Sequence, residues 1–407
     1  MPGIARQIAA EYGVGPSTVM VSGARTAPDL AAFANSAMVR SFDINDAYGS
    51  GGGVGHPSDY IPAVLAAAEA SNADGRTVIA AVAAVYEIFG RLTDALGLGV
   101  EGWDHVTAGA VASAAGAGLV WGLDAGQIAN AMSLALVPNF ALQATRLGDL
   151  SAWKGCAAPN ACRNGVFAAR LAARGLTGPL EPFEGRGGSA AAVGKPIDHV
   201  PLRDDRPAVV ATGAHMKKYP LGFFGQGAVD AALALRPRVG TAERIRRIEV
   251  GTFEFGSRVM AGDRSKWRPQ TRESADHSIP YAVATALVRG RLGIDDYTDE
   301  ALRDPAVLSL LDRLEVHVDA ECQAAWPRAI MTKLTVTRDD GSAESVTVLA
   351  HRGHALDPMS DAEVVDKFHS LAARTLDSSR RQALVSAVWD LARVPVPDLL
   401  ALTVVAK

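Results

Sequence analysis

The chain has 407 residues, of which 48% are hydrophobic, 21% are charged and 6% are aromatic, and its formal net charge is −4. This composition is ordinary for a globular protein, and the length suits two domains or one large core with a smaller inserted unit. The near-neutral charge and the lack of a basic tract argue against a dedicated nucleic-acid binder.

The first half of the chain predicts a helical domain. Val78, Val82, Val85, Phe89 and Leu92 recur every three or four residues, which places one apolar stripe along a long helix. Further helices are predicted at 61–70, 125–136, 151–174 and 227–235. The segment 49–57 between two of these helices is rich in glycine and is predicted to be a loop.

Three features predict a cytoplasmic protein with reduced thiols. Residues 106–123 form the longest uncharged stretch, but they are mostly alanine and glycine. A transmembrane span needs about 20 strongly apolar residues, so this stretch predicts a buried helix instead. The three cysteines, Cys156, Cys162 and Cys322, match neither a disulfide framework nor a zinc or iron–sulfur spacing. The N-terminal residues also lack the pattern of a secretory signal.

The pattern changes after about Thr241, where alternating apolar residues predict half-buried strands. The alternating positions are Ile248 and Val250; Leu314, Val316 and Val318; Leu334 and Val336; and Val346 and Val348. Helices are predicted at 277–289, 361–373 and 378–391. The predicted fold is therefore mostly α with an α+β part. A large helical domain is formed by both chain ends, 1–212 and 353–407, and a smaller α+β domain is inserted at 213–352.

The segment with the most chemistry-bearing side chains is 41–60. It contains Asp43, Asp46, Tyr48, His56 and Asp59 together with five glycines. The glycines match neither the phosphate-binding GxxxxGK[ST] pattern nor a GxGxxG pattern after a strand. The segment is interpreted either as a flexible turn between helices or as an active-site loop that delivers a carboxylate and an imidazole to one pocket.

Two further candidates lie at the starts of predicted helices. His105, in the sequence GWDHVT, precedes the alanine-rich helix, where main-chain N–H groups attract anions; the alternative is a capping or packing role. Lys154 lies between Trp153 and Cys156. A lysine in apolar company suggests an anion ligand, whereas an isolated lysine in a helix is more often solvated.

The second half of the chain adds Lys217, Lys218, Arg272, His277 and Tyr281 as cationic or titratable candidates. A substrate with two or three carboxylates needs cations from several chain segments, and these lysines, the arginine and the histidines can supply them. Proton abstraction beside a carboxylate, followed by loss of hydroxide or CO₂, needs a general base and a general acid. Histidine and tyrosine can fill both roles without a metal.

No cofactor or metal is predicted. No nicotinamide, flavin, pyridoxal phosphate or thiamine signature is present in the sequence. His351 and His354 have a spacing that metal ligands use, but two histidines without a third ligand are more often structural.

Taken together, these motifs resemble the MmgE/PrpD family. The matching segments are, in chain order, SFDINDAY…HPSD, GWDHVTAGAVASAAGAG, WKGCAAPNACRNGVFAARLAARGLTGP, KKYP, TRESADHSIPY and HRGHALDPMSDAEVVDKF. The resemblance runs from about Thr26 to the C-terminus. The family includes 2-methylcitrate dehydratase, cis-aconitate decarboxylase and an iminodisuccinate epimerase. The resemblance implies a cofactor-free, generally dimeric enzyme built from a large helical domain and a smaller α+β lid, with the active site between the two domains.

The resemblance also implies roles for individual residues. Asp46, His56, His105 and Tyr281 are expected to be catalytic, and Lys154, Lys217, Lys218, His277 and Arg272 are expected to bind substrate. Lys217 is preferred over Lys218 as the lysine that faces the site. The forms GWDHVT and ADHSIPY look more like those of 2-methylcitrate dehydratases than of decarboxylases.

We therefore expect a hydro-lyase that removes water from a hydroxy-polycarboxylate such as 2-methylcitrate. His56 or His105 would remove the proton, and Tyr281 or the other histidine would protonate the leaving hydroxyl. The alternatives are decarboxylation or epimerisation of a related polycarboxylate, such as one resembling cis-aconitate, in a biosynthetic pathway, or a non-catalytic carboxylate-binding homologue.

Overall fold

The computed structural model describes residues 1–50, 53–99, 102–146, 151–203 and 205–405. These residues form two compact units. The first unit comprises residues 1–41, 45–214 and 360–407, and the second comprises residues 42–44 and 215–359. Phe42–Ile44 come long before the rest of the second unit in the chain, and no pattern in the sequence predicted that they belong to it.

The first unit is helical up to residue 214. Its helices there are α1 (Pro2–Glu11), α2 (Pro28–Val39), α3 (Ile61–Ser71), α4 (Gly75–Leu96), α5 (Val106–Val120), α6 (Ala125–Leu136), α7 (Ala157–Ala172), α8 (Ser189–Val193) and α9 (Val210–Gly213). Two short antiparallel hairpins join β1 (Ser17–Thr18) to β2 (Arg25–Thr26) and β3 (Tyr48–Ser50) to β4 (Gly53–Gly55).

Most of the predicted helices of this unit are confirmed. Helix α6 begins and ends where predicted, and Asp124 and Gln127 form a capping box that fixes its start. The helix predicted at 151–174 is wrong at its N-terminal end, since residues Ala152–Gly155 form a 3₁₀ turn and α7 starts only at Ala157. Pro159 explains the difference, because proline is tolerated in the first turn of a helix and disrupts its interior.

Helix α5 lies at the centre of the first unit's core, as the uncharged stretch predicted. Every residue of α5 except Leu119 is buried. Its small residues let neighbouring helices approach closely: a Cβ atom on Gly116 would lie 2.5 Å from the Val85 side chain of α4. No helix in the described part of the chain is long and apolar enough to cross a membrane.

The second unit combines helices with one mixed sheet. Its elements are α10 (Gln226–Val239), β5 (Ile245–Thr252), α11 (Glu254–Ala261), α12 (Arg264–Trp267), α13 (Arg272–Ala275), α14 (Ile279–Arg289), α15 (Pro305–Leu311), β6 (Leu314–Val318), α16 (Ala320–Ala325), β7 (Thr332–Arg338) and β8 (Ala343–Val348). The strand order is β6-β5-β7-β8, with β5 parallel to β6 and the other neighbours antiparallel.

The alternation in the sequence correctly predicted these strands. In β7, Leu334 and Val336 are buried while Lys333 and Thr335 are half-buried, and α10 packs against β7 and β8. The helix predicted from His277 begins two residues later, because Ser278 caps it and accepts a hydrogen bond from the main-chain N–H of Tyr281.

The chain then returns to the first unit through α17 (Asp361–Ala372), α18 (Ser378–Trp389) and α19 (Val396–Leu402). The first two confirm the helices predicted at 361–373 and 378–391. Ser360 and Glu363 form a capping box that starts α17. Both chain ends therefore build the helical unit, and the fold is mostly α with an α+β part.

Candidate functional site

The segment 41–60 is not a simple turn between helices, because it contains a hairpin. Tyr48 pairs with Gly55 and Gly49 with Val54 across β3 and β4. The central glycines of the predicted loop, 51 and 52, lie outside the described residues. The chain leaves β4 at His56 and enters a 3₁₀ turn over Pro57–Tyr60.

This hairpin brings Asp46 and His56 together in the first unit. Nδ1 of His56 lies 2.7 Å from the main-chain oxygen of Asp46. A carbonyl oxygen can only accept, so Nδ1 carries the proton, and the neutral ring has its lone pair on Nε2. The Asp46 carboxylate accepts hydrogen bonds from the Ser58 hydroxyl at 2.5 Å and the Ser58 main-chain N–H at 3.2 Å. Burial, and then the charge of Asp46, raise the pKa of Tyr86 far above its usual value.

His105 lies next to His56. The two ring centroids are 5.6 Å apart, nearly perpendicular, and both residues are buried. Gly55 permits this approach, because a Cβ atom there would lie 2.4 Å from the Phe89 ring and 3.0 Å from His105 Cγ. His105 occupies the N-cap position of α5. The structure therefore joins two histidines that are far apart in the sequence into one buried pair.

The residue before His105 carries a buried charge. A carboxylate oxygen of Asp104 lies 3.6 Å from His105 Nε2, and Arg146 binds the same carboxylate at 2.9 Å through Nε. Burial alone would raise the pKa of Asp104, but the charges of Arg146 and then of His105 outweigh it, so that this pKa is lowered. Asp104 is therefore an ionised carboxylate between the Arg146 guanidinium and the titratable His105 ring.

Lys154 is buried, with 7% of its surface exposed, in the 3₁₀ turn Ala152–Gly155. Its main-chain oxygen accepts a hydrogen bond from Nη1 of Arg146 at 3.1 Å. This burial argues against a solvated lysine, and the role of Lys154 as an anion ligand stays a prediction. Arg146 thus contacts both the residue beside His105 and the turn that carries Lys154.

A second charged cluster lies in the second unit. Nζ of Lys217 is 2.6 Å from one carboxylate oxygen of Asp43, and Nε2 of His277 is 3.2 Å from the other. Nδ1 of His277 is in turn 2.5 Å from Asp276. A ring that faces a carboxylate on each nitrogen can donate to both when it is an imidazolium. Two cations and two carboxylates then balance each other.

This second cluster has the spacing, but not the charge balance, of a metal site. Asp43, Asp276 and His277 each offer a ligand atom within 4.8 Å of the others, the one such group among the described residues. The Lys217 ammonium is bound to Asp43, so its positive charge would repel a metal ion at that carboxylate. The donor set therefore suits proton-linked ion pairs better than a metal ion.

The remaining predicted residues of the second unit differ in exposure. Lys218 is exposed next to the Tyr219 ring, whereas its neighbour Lys217 is fully buried. Arg272 is half-buried, lies over the Phe42 ring and pairs with Glu273 at 2.8 Å.

Tyr281 packs in the interior of the second unit. It has no exposed surface, and its hydroxyl donates to the main-chain oxygen of Asp296 at 2.5 Å. Burial is the largest contribution that raises the pKa of Tyr281, to about 12. A phenol in this position is engaged with the main chain, which favours a packing role over the expected role as a general acid.

The closely spaced His351 and His354 belong to a cluster with His215. The rings of His215 and His354 stack with centroids 4.1 Å apart, and His351 lies 5.5 Å from His354. His215 also stacks on Phe223. Burial is the main cause that lowers the pKa of His215 to about 3 and that of His351 to about 4. The three rings therefore form a stacked cluster in which the lowered pKa values favour neutral imidazoles.

Sequence reasoning gave no role to several residues that hold these groups in place: Asp43, Ser58, Asp104, Arg146 and Asp276. Asp43 and Asp104 stand inside motifs that were singled out, but nothing in the sequence indicates which acidic residue is buried. Arg146 lies 42 positions from Asp104 and belongs to no motif. No sequence signal could have paired the two.

Comparisons with known proteins agree on one family. The MmgE/PrpD N-terminal domain matches residues 2–199, and the MmgE/PrpD C-terminal domain matches residues 219–391. The chain is 30% identical to a 2-methylcitrate dehydratase of Cupriavidus necator, with 93% of this chain and 84% of that protein covered. It is 29% identical to a 2-methylcitrate dehydratase of Salmonella typhimurium, with 96% and 86% covered. A fungal alkylcitrate dehydratase is 26% identical, with 84% and 72% covered.

Proposed function

Because this chain belongs to the MmgE/PrpD family, we propose that it is a hydro-lyase that removes water from a hydroxy-polycarboxylate such as 2-methylcitrate. The names of the similar dehydratases support the substrate class. The observation that carries the chemistry is the buried pair of His56 and His105, whose rings lie 5.6 Å apart in the first unit.

The proposed mechanism uses His56 as the base and His105 as the acid. The bond from His56 Nδ1 to Asp46 leaves the lone pair of the neutral ring on Nε2, which can take a proton from the carbon beside a carboxylate. The electron pair of that C–H bond forms the new C=C bond as the neighbouring C–O bond breaks. His105, whose protonated form is stabilised by Asp104, gives its proton to the departing hydroxyl, which leaves as water.

Cationic side chains would bind the substrate's carboxylates and stabilise the negative charge that builds up beside the carbon from which His56 takes the proton. In the first unit we assign this role to the buried Lys154. In the second unit we assign substrate binding to Lys217, His277 and Arg272. A base, an acid and cations complete this reaction without a metal or an organic cofactor. As the resemblance implies, we propose that the active form is a homodimer, and from the cysteine pattern we propose that it acts in the cytoplasm.

The test is a proton NMR time course in D₂O with EDTA present, on 2-methylcitrate, citrate and cis-aconitate in separate samples. We expect 2-methylcitrate to yield 2-methylaconitate. His56→Asn and His105→Asn should each slow turnover by a factor of about 10²–10⁴, the usual contribution of a general acid or base. His199→Asn, which changes an exposed histidine of the same unit, is the matched control and should retain the parent rate.

Other outcomes would redirect the assignment. Itaconate and CO₂ from cis-aconitate would identify a decarboxylase, and deuterium incorporation without elimination would indicate an epimerase. If none of the three acids reacts or exchanges, the proposed substrate class is wrong. A non-catalytic homologue would still give chemical-shift changes on binding, without turnover.

A further inference from the structure

Asp104 and Arg146 form a buried ion pair directly beside the proposed acid. The Asp104 side chain has no exposed surface, and 18% of the Arg146 side chain is exposed. Nε of Arg146 donates to one carboxylate oxygen at 2.9 Å, and Nη2 lies 3.4 Å from the other. That second oxygen also faces His105 Nε2 at 3.6 Å and accepts the main-chain N–H of Val106 at 3.3 Å. The carboxylate is therefore shared between a permanent cation and a titratable ring.

The main chain fixes both partners of this pair. Trp103 forms an antiparallel bridge with Leu142, and the Asp104 N–H donates to the oxygen of Ala141 at 2.9 Å. Gln143 shares two hydrogen bonds with the Gly102 peptide. These contacts hold the start of α5 against the segment that leads into Arg146.

Arg146 reaches a second candidate residue through its remaining nitrogen. Nη1 donates to the main-chain oxygen of Lys154 at 3.1 Å. One guanidinium therefore binds the carboxylate beside His105 and the 3₁₀ turn that carries Lys154. Lysine has one donor centre and cannot reproduce this forked geometry.

The groups that surround the His105 ring belong to several elements of the first unit. The His56 ring faces it from the end of β4, and the uncharged Phe89 ring lies 6.1 Å away on α4. Asp104 faces it from its own segment, and Arg146 approaches that carboxylate from the turn Gln143–Arg146. Tyr60 is buried within range of the Asp104 charge, and its raised pKa keeps it a neutral phenol.

We propose that Asp104 and Arg146 are positioning residues that set the protonation of His105 and the place of Lys154. The negative charge of Asp104 favours the imidazolium form of His105. The positive charge of Arg146 on the same carboxylate partly cancels this effect. The assignment of His105 as the acid rests on the proposed function, whereas the electrostatic coupling does not.

Two substitutions of opposite charge test the coupling. In Arg146→Met, the Asp104 carboxylate no longer shares its charge with the guanidinium, so the pKa of His105 should rise by about 1 unit. In Asp104→Asn, the amide still accepts the Val106 N–H while Arg146 faces His105 unopposed, so the same pKa should fall by about 1 unit. Arg163→Met, which removes an exposed arginine of α7, should leave it unchanged.

The readout is the titration of ¹³Cε1-labelled histidines by NMR, with the His105 signal identified by its loss in His105→Asn. Opposite shifts in the two variants support the proposal; no shift, or shifts of the same sign, overturn it. This holds even if no polycarboxylate is turned over, so failure of the proposed function is separately visible. If turnover is found, the alkaline limb of the pH profile of kcat should move with the titration.

A conservative variant separates charge from position. Arg146→Lys keeps a cation beside Asp104 but loses the second hydrogen bond, which Arg146 donates to the main-chain oxygen of Lys154. The pKa of His105 should stay near that of the parent, while kcat/KM should fall by about 10-fold because Lys154 is displaced. Full activity in Arg146→Lys would overturn the part of the proposal that concerns Lys154.

Discussion

The Lys217 ammonium lies 2.6 Å from a carboxylate oxygen of Asp43, and the two side chains are 0% and 3% exposed. Their positions in the chain are 174 residues apart. A buried ion pair contributes little net stability, but removal of one partner leaves an uncompensated charge in the interior. This asymmetry makes the pair a sensitive place to test the structure of the second unit.

Lys217→Met should lower the free energy of unfolding by about 3 kcal/mol, because the buried Asp43 carboxylate loses its ammonium partner. Urea unfolding followed by circular dichroism measures this change. Lys218→Met alters the exposed neighbour and should change stability by less than about 0.5 kcal/mol. The double variant Asp43→Asn/Lys217→Met should recover part of the loss. Equal effects of the two single lysine variants would contradict the burial of Lys217.

The cluster of His215, His351 and His354 should make the protein sensitive to acid. In the folded state the pKa of His215 is about 3 and that of His351 about 4, whereas unfolded histidines take up protons below about pH 6.5. Their contribution to stability is therefore complete above about pH 6.5 and is lost as the pH falls toward the folded values. Each contributes a slope of about 1.4 kcal/mol per pH unit within that window.

This slope can be measured by urea unfolding at intervals across the weakly acidic range. In His215→Asn, the amide oxygen can still accept the N–H of Ala355, so the variant should fold but show a shallower slope. His317→Asn, at an exposed position of β6, is the control and should keep the parent slope. A slope unaffected by the loss of His215 would show that this ring is protonated in the folded state.

Tyr281→Phe distinguishes a packing role from a catalytic one. The substitution removes the hydrogen bond to the oxygen of Asp296, which should cost about 1 kcal/mol of stability. Steady-state kinetics should show activity within about 3-fold of the parent, since the main chain holds the hydroxyl. If turnover instead slows by about 10²-fold or more, the result would support the expected role of Tyr281 as a general acid.

Gly55→Ala should disturb the pair of His56 and His105 without removing either ring. The added Cβ would lie 2.4 Å from the Phe89 ring and 3.0 Å from His105, so one of the two must move. We expect turnover to slow about 10-fold or more, because a displacement of about 1 Å can lower a rate by about 10²-fold. Gly213→Ala is the control, since a Cβ there meets no atom within 4 Å. Unchanged activity in Gly55→Ala would argue against catalysis at this pair.

Elements with a strong local pattern were predictable from the sequence. Helix α6 has the capping pair Asp124 and Gln127 at its start, and β7 alternates apolar and polar residues along its length. The hairpin of β3 and β4 was predicted as a loop, because two three-residue strands rich in glycine carry no alternation. Local pattern thus identified the long elements and missed the short ones.

The candidate site was predictable only in part. His56, His105, Lys154, Lys217 and His277 were named from their motifs. The first four are buried and His277 is partly buried. Their partners could not be named, because burial of one carboxylate among many depends on tertiary packing. Arg146 is the clearest example: its role depends on contacts with Asp104 and Lys154 and not on the residues beside it in the chain.

The membership of Phe42–Ile44 in the second unit limits how that unit can be handled or exchanged. A fragment spanning 215–359 would bury Lys217 without its partner Asp43. A chimera with a related protein would need to take 42–44 and 215–359 from the same parent. The order of synthesis matters as well. At about 5–20 residues per second, Asp43 leaves the ribosome roughly 9–35 s before Lys217 does. The interior of the second unit can therefore form only late in translation, when Lys217 reaches Asp43, which was synthesised much earlier.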